Sequence, residues 1–273
     1  FLYWATPIPH LPLQAPKQWV DYYVEKFGDE DPYYFREGEK GSYFPTRYPH
    51  ATYAAMVSYL DENVGKLVAH LKETGEFDNT LIIFTSDNGP TYLGGADSPW
   101  FNSGGPFPEE YGRGKGFLYE GGIRVPMIAS WPGHVPAGSR TDHISGFQDV
   151  LPTLCTVAKT SAPDNTDGID FMPTLLNESN QLKHDYLYWE YPEYKGQVAV
   201  RMEKWKIIWK NIKKDNKHVE VYDLSVDPAE QNDLADQHPE MVKRFFEIIQ
   251  AEHQTPANKR FEIPAVEALF SKK

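Results

Sequence analysis

The sequence predicts an α/β fold followed by a small antiparallel sheet and a closing helix. Three observations carry that expectation. Tyr48–Lys72 repeats apolar residues at three- and four-residue spacing, and after a turn the chain enters the apolar run Leu81-Ile82-Ile83-Phe84. Helix, short turn and apolar strand make half of a βαβ unit. Beyond Asn177 the pattern changes to four short, alternating, aromatic-rich runs: Tyr186–Glu190, Gln197–Met202, Trp205–Lys210 and His218–Leu224. Runs of that kind, separated by turns, read as an antiparallel meander. Pro239–His253 then has the spacing of an amphipathic helix. The expected division is 1–176 for the α/β part and 177–273 for the smaller unit.

Taken in order, Phe1–Ala5 has the composition of a buried strand. Pro7, Pro9 and Pro12 stiffen the loop that follows and carries His10. A histidine on a rigid loop stands where a site can be built, although it can equally be a loop residue without a role. Lys17–Phe27 is compatible with a short helix. Gly28–Pro49 reads as loop, and its Tyr33, Tyr34 and Tyr43 either line an entrance or cover the core. In Tyr48–Lys72 the residues Tyr53, Met56, Val57, Leu60, Val64, Leu67, Val68 and Leu71 form one face, and Gly75 is the stop signal. Pro90–Tyr111 is a long irregular loop containing Trp100-Phe101, and loops of that length are often functional. Val125–Trp131 reads as a second buried strand, and Phe147–Ala158 as a helix with Pro152 in its first turn. The tail beyond Thr255 is expected to be loosely held.

The chain has 273 residues, enough for a substantial core, and a formal net charge of −12. That charge argues against a nucleic-acid partner, and no apolar run is long enough to span a bilayer. It leaves room for an anionic small substrate, because local cations can offset the global field. The single cysteine, Cys155, lies on the apolar side of its helix and reads as a buried structural thiol. Lys204, Lys206, Lys210, Lys213, Lys214 and Lys217 cluster in the meander and read as solvated faces and a hairpin tip.

The chemistry is concentrated between Leu81 and Arg124. The first strand ends in Thr85-Ser86-Asp87-Asn88-Gly89, and ligands of open α/β sheets sit just outside such strand ends. Asp87 and Asn88 offer two hard oxygens suited to Ca²⁺ or Mg²⁺. Asp-Asn-Gly is also ordinary turn chemistry. Lys115, in the glycine-punctuated run Gly114–Pro126, would give a tetrahedral anion a point charge at the same rim.

These stretches together resemble the C-terminal portion of the formylglycine-dependent sulfatases, arylsulfatase-like members of the alkaline-phosphatase-like superfamily. The resemblance runs in order over nearly the whole chain. It includes Phe1–Pro16 with Pro9-His10-Leu11-Pro12, Leu60–Gly65, Asp78–Gly89, Lys115–Pro126, Trp131-Pro132-Gly133, Asp149–Thr153, and Tyr222-Asp223-Leu224 with Asp227-Pro228. It implies a mixed, mostly parallel sheet flanked by helices, then the small antiparallel subdomain. It implies that Asp87 and Asn88 bind a divalent cation, usually Ca²⁺. Lys115 matches the lysine that holds the sulfate group, and His10 the histidine near the leaving oxygen. Glu120 and Arg124 match motif positions and are read as a buried loop-ordering pair. The expected partner is a sulfated carbohydrate or aryl sulfate, and the expected location is exported or lysosomal.

The family's nucleophile is a formylglycine made from Cys or Ser in the motif Cys/Ser-x-Pro-x-Arg. That motif does not occur here, since Cys155 is followed by Thr156-Val157-Ala158. The paired aspartates that complete the cation site in the family also precede the matched region. The expectation is therefore half an active site, inactive and inclined to associate by itself. A longer protein, or an N-terminal partner chain, would complete it. The alternatives are a phosphomonoester or phosphonate hydrolase of the same superfamily, and a non-catalytic binding fragment. Trp100, Phe101, Trp189, Tyr191 and Tyr194 are candidates for stacking on a sugar, or else core and rim residues.

Overall fold

The computed structural model describes residues 1–34 and 43–270. Two helices come first, α1 (Lys17–Phe27) and α2 (Pro49–Glu73). They pack on each other through the bonds Trp19 Nε1 to Glu62 Oε2 at 2.7 Å and Tyr23 hydroxyl to Ser58 Oγ at 2.7 Å. Pro49 occupies the first turn of α2, where its missing N–H costs nothing, and Gly75 (φ +75°) follows its end. Only the N-terminal part of α2 is buried: Ala51, Ala54, Ala55 and Met56 are covered, whereas Val57 is exposed. Met56 joins Leu11, Leu13 and Ala96 in a small core that holds the His10 loop against the helix. Tyr33 and Thr46 form an isolated antiparallel bridge, Tyr43 packs on that small core, and Tyr34 is exposed.

Phe1–Ala5 forms no strand, and Phe1, Leu2 and Tyr3 are exposed. The strand expected there pairs with no other strand among the described residues. A turn after α2 leads into β1 (Ile82–Thr85), which pairs antiparallel with β2 (Met127–Ser130). The two strands were read as buried, but period-2 alternation leaves one face covered and one open. Leu81, Ile83 and Ala129 pack on Phe171, Met172 and Leu175, while Phe84 and Ile128, paired on the opposite face, are exposed; Met127, on the covered face, is exposed at the strand end. The long loop between the strands carries two short helices, α3 (Ser98–Phe101) and α4 (Glu120–Ile123).

Beyond β2, α5 (Val150–Val157) is preceded by a 3-10 turn at Phe147–Asp149, and α6 (Met172–Leu175) closes this part. Asp149 is fully buried because its carboxylate is fully used. It accepts from the backbone N–H groups of Gly146 and Ile169, each at 2.7 Å, and pairs with His184 at 2.8 Å. Cys155 is only half-buried, since the open side of α5 leaves Phe147 and Leu151 exposed as well.

The strands β3 (Leu187–Tyr191), β4 (Gln197–Met202), β5 (Trp205–Lys210) and β6 (Val219–Asp223) form one antiparallel meander in sequence order. Both of its faces are covered. Val198, Val200, Ile207, Trp209, Val219 and Val221 pack on Phe245, Ile248 and Ile249 of α7 (Pro239–Glu252). Each such buried side chain contributes about 1.5–3 kcal/mol. The other face carries Ala199, Ile208 and Tyr222, which pack on Leu118 and Tyr119 of the long loop.

Two expectations need correction here. The segment after Thr255 is not loose: Ile263 and Val266, the latter in α8 (Pro264–Glu267), are buried in the α7 core, and their three-residue spacing puts both on one side. Lys206 is not on a solvated face but is fully buried, because period 2 points it, Ile208 and Lys210 toward the loop. Lys213, Lys214 and Lys217 are exposed. No helix among the described residues is long and apolar enough to cross a membrane.

Candidate active site

The end of β1 and the Lys115 loop are tied together through their backbones. The Gly89 N–H donates to the Gly122 carbonyl at 2.9 Å, and the Lys115 N–H to the Pro90 carbonyl at 3.1 Å. Thr85 Oγ1 donates to the Pro126 carbonyl at 2.9 Å. The approach is too close for side chains at two points. A Cβ on Gly89 would collide with the Gly121 carbonyl, and one on Gly121 with the Pro108 carbonyl. Glycine is required there by contact rather than by turn angle. This knot sets Asp87-Asn88 and Lys115 on one rim of the fold.

Asp87 is exposed, and among the described residues it forms no ion pair or hydrogen bond. Asn88 donates its amide to the Gly89 carbonyl at 2.9 Å, which leaves Oδ1 as an open acceptor. Two unclaimed hard oxygens fit part of the shell of Ca²⁺, which takes six to eight. No cluster of three or more His, Cys, Asp or Glu able to hold a metal occurs among the described residues. Lys115 is half-buried and has no carboxylate partner among the described residues. Its charge is available to an outside anion. His10 is exposed on its loop, and its Nδ1 donates to the Leu11 carbonyl at 2.7 Å. That bond orients the ring and leaves Nε2 outward. The His10 loop reaches the rim through Leu11, on which Gly94 packs. No direct contact joins His10 to Asp87, Asn88 or Lys115.

Beneath the Lys115 loop lies a layer of buried polar residues supplied by the meander. Gln197 accepts from the Leu118 N–H at 3.2 Å and donates to the Gly116 carbonyl at 2.9 Å, gripping the backbone on both sides of Phe117. Lys206 pairs with Glu120 at 2.8 Å. Burial pushes the Glu120 carboxyl up, but Lys206 outweighs it and holds the group below the usual range. Glu230 accepts from the Glu120 N–H at 2.8 Å, and its carbonyl accepts from Arg113 at 2.8 Å. Its other carboxylate oxygen is buried without a hydrogen bond, and desolvation pushes this acid up to about 7. Tyr119 donates to Glu220, which also pairs with Lys210 at 2.9 Å. Desolvation, then Glu220, drives the Tyr119 hydroxyl well above the ordinary tyrosine value.

The expected buried pair of Glu120 and Arg124 is present at 3.3 Å, but only Glu120 is buried; Arg124 is half exposed. The buried counterion of Glu120 is Lys206. Sequence reasoning missed Gln197, Lys206 and Glu230 as supports of the loop. The available signal was period 2, which places Gln197, Arg201, Lys206, Lys210 and Glu220 on one sheet face. A face that polar reads as solvated unless its partner is known to carry matching charge.

Among the five aromatic residues singled out for a sugar, Tyr191 and Tyr194 stand beside the Lys115 loop. Tyr194 packs on Phe117 with ring centroids 4.9 Å apart. Trp189 lies partly buried against Lys206. Trp100 stacks on His50 at 4.4 Å, and Phe101 packs on Tyr53 of α2.

Comparison with known proteins gives the class. The sulfatase family model matches residues 1–160, and the model described as N-sulphoglucosamine sulphohydrolase, C-terminal, matches residues 110–254. The chain is an alkaline-phosphatase-like α/β protein, and it belongs to the sulfatase family as a C-terminal part. The N-acetylglucosamine-6-O-sulfatase of Bacteroides thetaiotaomicron is 30% identical over 257 residues, covering 90% of this chain and 42% of that protein. Human arylsulfatase A is 36% identical over 169 residues, 61% of this chain and 32% of its own. The crystal structure of Ps i-CgsB superposes with a TM-score of 0.70 at 28% identity, covering 96% of this chain and 52% of that one. The chain thus spans about half or less of the length of these relatives.

Proposed function

We propose that the protein carrying this chain hydrolyses sulfate monoesters on sulfated carbohydrates. The observation that carries the reading is the backbone knot that sets an unpaired lysine, Lys115, on the same rim as the oxygens of Asp87 and Asn88. A sulfate ester breaks at its S–O bond only when negative charge on the sulfuryl and leaving oxygens is neutralised. Lys115 supplies one positive charge to the sulfuryl oxygens. His10 has its Nδ1 proton committed to the Leu11 carbonyl, so in the imidazolium form Nε2–H is the proton for the departing alkoxide. Asp87 and Asn88 would hold a Ca²⁺ ion, which when bound supplies Lewis-acid charge neutralisation. The nucleophile is a formylglycine on a segment N-terminal to the matched region, so residues 1–273 by themselves turn over nothing. Hard oxygens at the strand end favour one Ca²⁺ over the His-rich ligands of a two-zinc phosphatase.

The carbohydrate assignment draws on relatives. One acts, by its name, on N-acetylglucosamine 6-O-sulfate, and Ps i-CgsB has been captured with k-i-k-neocarrahexaose. We assign residues 1–176 to the α/β domain and 177–273 to the smaller subdomain, and an exported or lysosomal location to the protein. The test is intact mass and N-terminal sequencing of the natural protein, then hydrolysis of sulfated sugars with and without Ca²⁺. Formylglycine upstream, with Ca²⁺-dependent sulfate release that Lys115→Met abolishes, is the expected result. A natural protein that carries the Cys/Ser-x-Pro-x-Arg motif yet releases no sulfate from any sulfated sugar would refute it.

A further inference from the structure

We propose that Tyr111 and Tyr194 form a stacking platform beside Lys115 for the pyranose ring that bears, or adjoins, the sulfate ester. The proposal rests on the sulfatase reading in one respect, that Lys115 holds the sulfate. Everything else comes from the packing around Gly116.

Gly116 follows Lys115 and has φ +88°, and a Cβ there would stand 2.6 Å from Cε2 of Tyr194. The Tyr194 ring therefore lies directly on the backbone next to the lysine. It is delivered there by the β3–β4 turn, in which Tyr194, Lys195 and Gly196 are all left-handed, with φ of +47°, +73° and +77°. Two consecutive non-glycine residues in that conformation are costly, and such strain clusters where a side chain must be aimed. The aim is toward the Lys115 loop.

The ring does not stand alone. Tyr191 stacks behind Tyr194 at 6.2 Å, Phe117 joins Tyr194 to Tyr111, whose ring is 5.3 Å away, and Tyr92 meets Tyr111 edge-on at 5.4 Å. The inner members, Phe117, Tyr92 and Tyr191, are half-buried, whereas Tyr111 is 65% and Tyr194 38% exposed. Rings that merely cap a core bury their faces. Here both tyrosines keep part of their surface exposed while neighbouring rings brace them, so little freedom is lost when something packs on them.

The occupant this surface fits is a pyranose. Its C–H faces are apolar and its rim is hydroxylated, which suits tyrosine faces edged by hydroxyl groups. A ring seated there would lie next to the Lys115 charge, where a sulfate substituent needs to be.

The experiment uses the natural enzyme and its Tyr111→Ala and Tyr194→Ala variants. The readout is the ratio of kcat/KM for a sulfated oligosaccharide to that for a small aryl sulfate. Tyr111→Ala is the decisive variant, because its ring is the more exposed and does not rest on Gly116. The expected result is a fall of roughly tenfold or more in that ratio, arising in KM, which corresponds to losing one good contact. An unchanged ratio, whether both activities fall together or neither falls, overturns the platform. If the wild type cleaves no sulfate ester, the sulfatase reading fails on its own. The platform is then judged by calorimetric binding of the sulfated oligosaccharide: weakening of about tenfold in Tyr111→Ala supports it, and equal or absent binding overturns it.

Discussion

Glu230 offers the sharpest test of how the Lys115 loop is held. The perturbation is Glu230→Gln in the natural protein. The side chain is fully buried, one oxygen accepts the Glu120 N–H at 2.8 Å, and the other has no hydrogen bond. Glutamine keeps an acceptor for Glu120 and removes the charge. In the fold this carboxyl is raised from 4.5 to about 7, chiefly by desolvation. A raised acid favours the folded state fully below its unfolded value and loses that favour as pH rises through the folded value. The penalty for ionising Glu230 therefore grows between about pH 4.5 and 7 and reaches about 3 kcal/mol. Unfolding free energies of wild type and Glu230→Gln, measured by denaturant titration from pH 4 to 8, give the comparison. The variant should gain on the wild type as pH rises, by up to about 3 kcal/mol, most of it by pH 8. A difference that stays constant across that range would refute the reasoning, because it would mean that Glu230 ionises in the fold as easily as in the unfolded chain.

Other consequences follow from the same geometry. Lys206→Ala leaves the buried Glu120 carboxylate without its counterion and should cost about 3–5 kcal/mol in unfolding free energy; Lys206→Met with Glu120→Gln should recover much of it. Lys115→Met in the natural enzyme should lower kcat for sulfate ester hydrolysis by at least about a hundredfold while the melting temperature changes little. Asp87→Ala should weaken Ca²⁺ binding by more than about tenfold, read by calorimetry. His253 is buried between Glu190 at 2.7 Å and Glu267 at 3.1 Å. Burial lowers its pKa, but the two carboxylates outweigh that and raise it. The stability wild type holds over His253→Gln should be full below about pH 6.5 and fade as pH rises through the raised value, visible as converging melting temperatures.

Local physics made most elements legible. The bounds of α1, β4 and β5 coincide with their sequence patterns, and α2 and α7 differ by a residue or so at their ends. Strong periodicity and clear stops decided these. The failures share one cause, which is that periodicity reports a face and not what covers it. Leu81–Phe84 is apolar throughout, yet Phe84 is exposed. Lys206 lies in a basic run, yet it is buried because the opposing loop supplies Glu120. The tail past Thr255 lacked a long pattern, but Ile263 and Val266 needed only one short turn to dock on α7. For the site, Asp87, Asn88 and Lys115 could be picked out by residue type and position. Their common rim depends on glycine contacts between segments some thirty residues apart, which spacing alone does not reveal.

The arrangement explains why a loop bearing one lysine needs a four-stranded sheet behind it. The loop is rich in glycine, and a free chain of that kind would sample many conformations. Four fixings come from the meander side: Gln197 on the backbone of Gly116 and Leu118, Lys206 on Glu120, Glu230 on the Glu120 N–H, and Tyr194 on Gly116. Each is buried or ring-packed, so water competes poorly for it. On the other side the loop is tied to the end of β1 and the segment after it, which carries Asp87 and Asn88, through Thr85, Gly89 and Pro90. Lys115 is thus held between the meander and the end of β1, and a shift of one against the other must move its charge relative to the strand end. Substitutions in the meander core far from the rim, such as Val200→Ala facing α7, should therefore lower stability with little change in KM. Substitutions on the opposite face, such as Gln197→Ala, should change KM and kcat even where stability is restored. If both faces behaved alike, the meander would be a passive support and the polar layer would have no part in positioning Lys115.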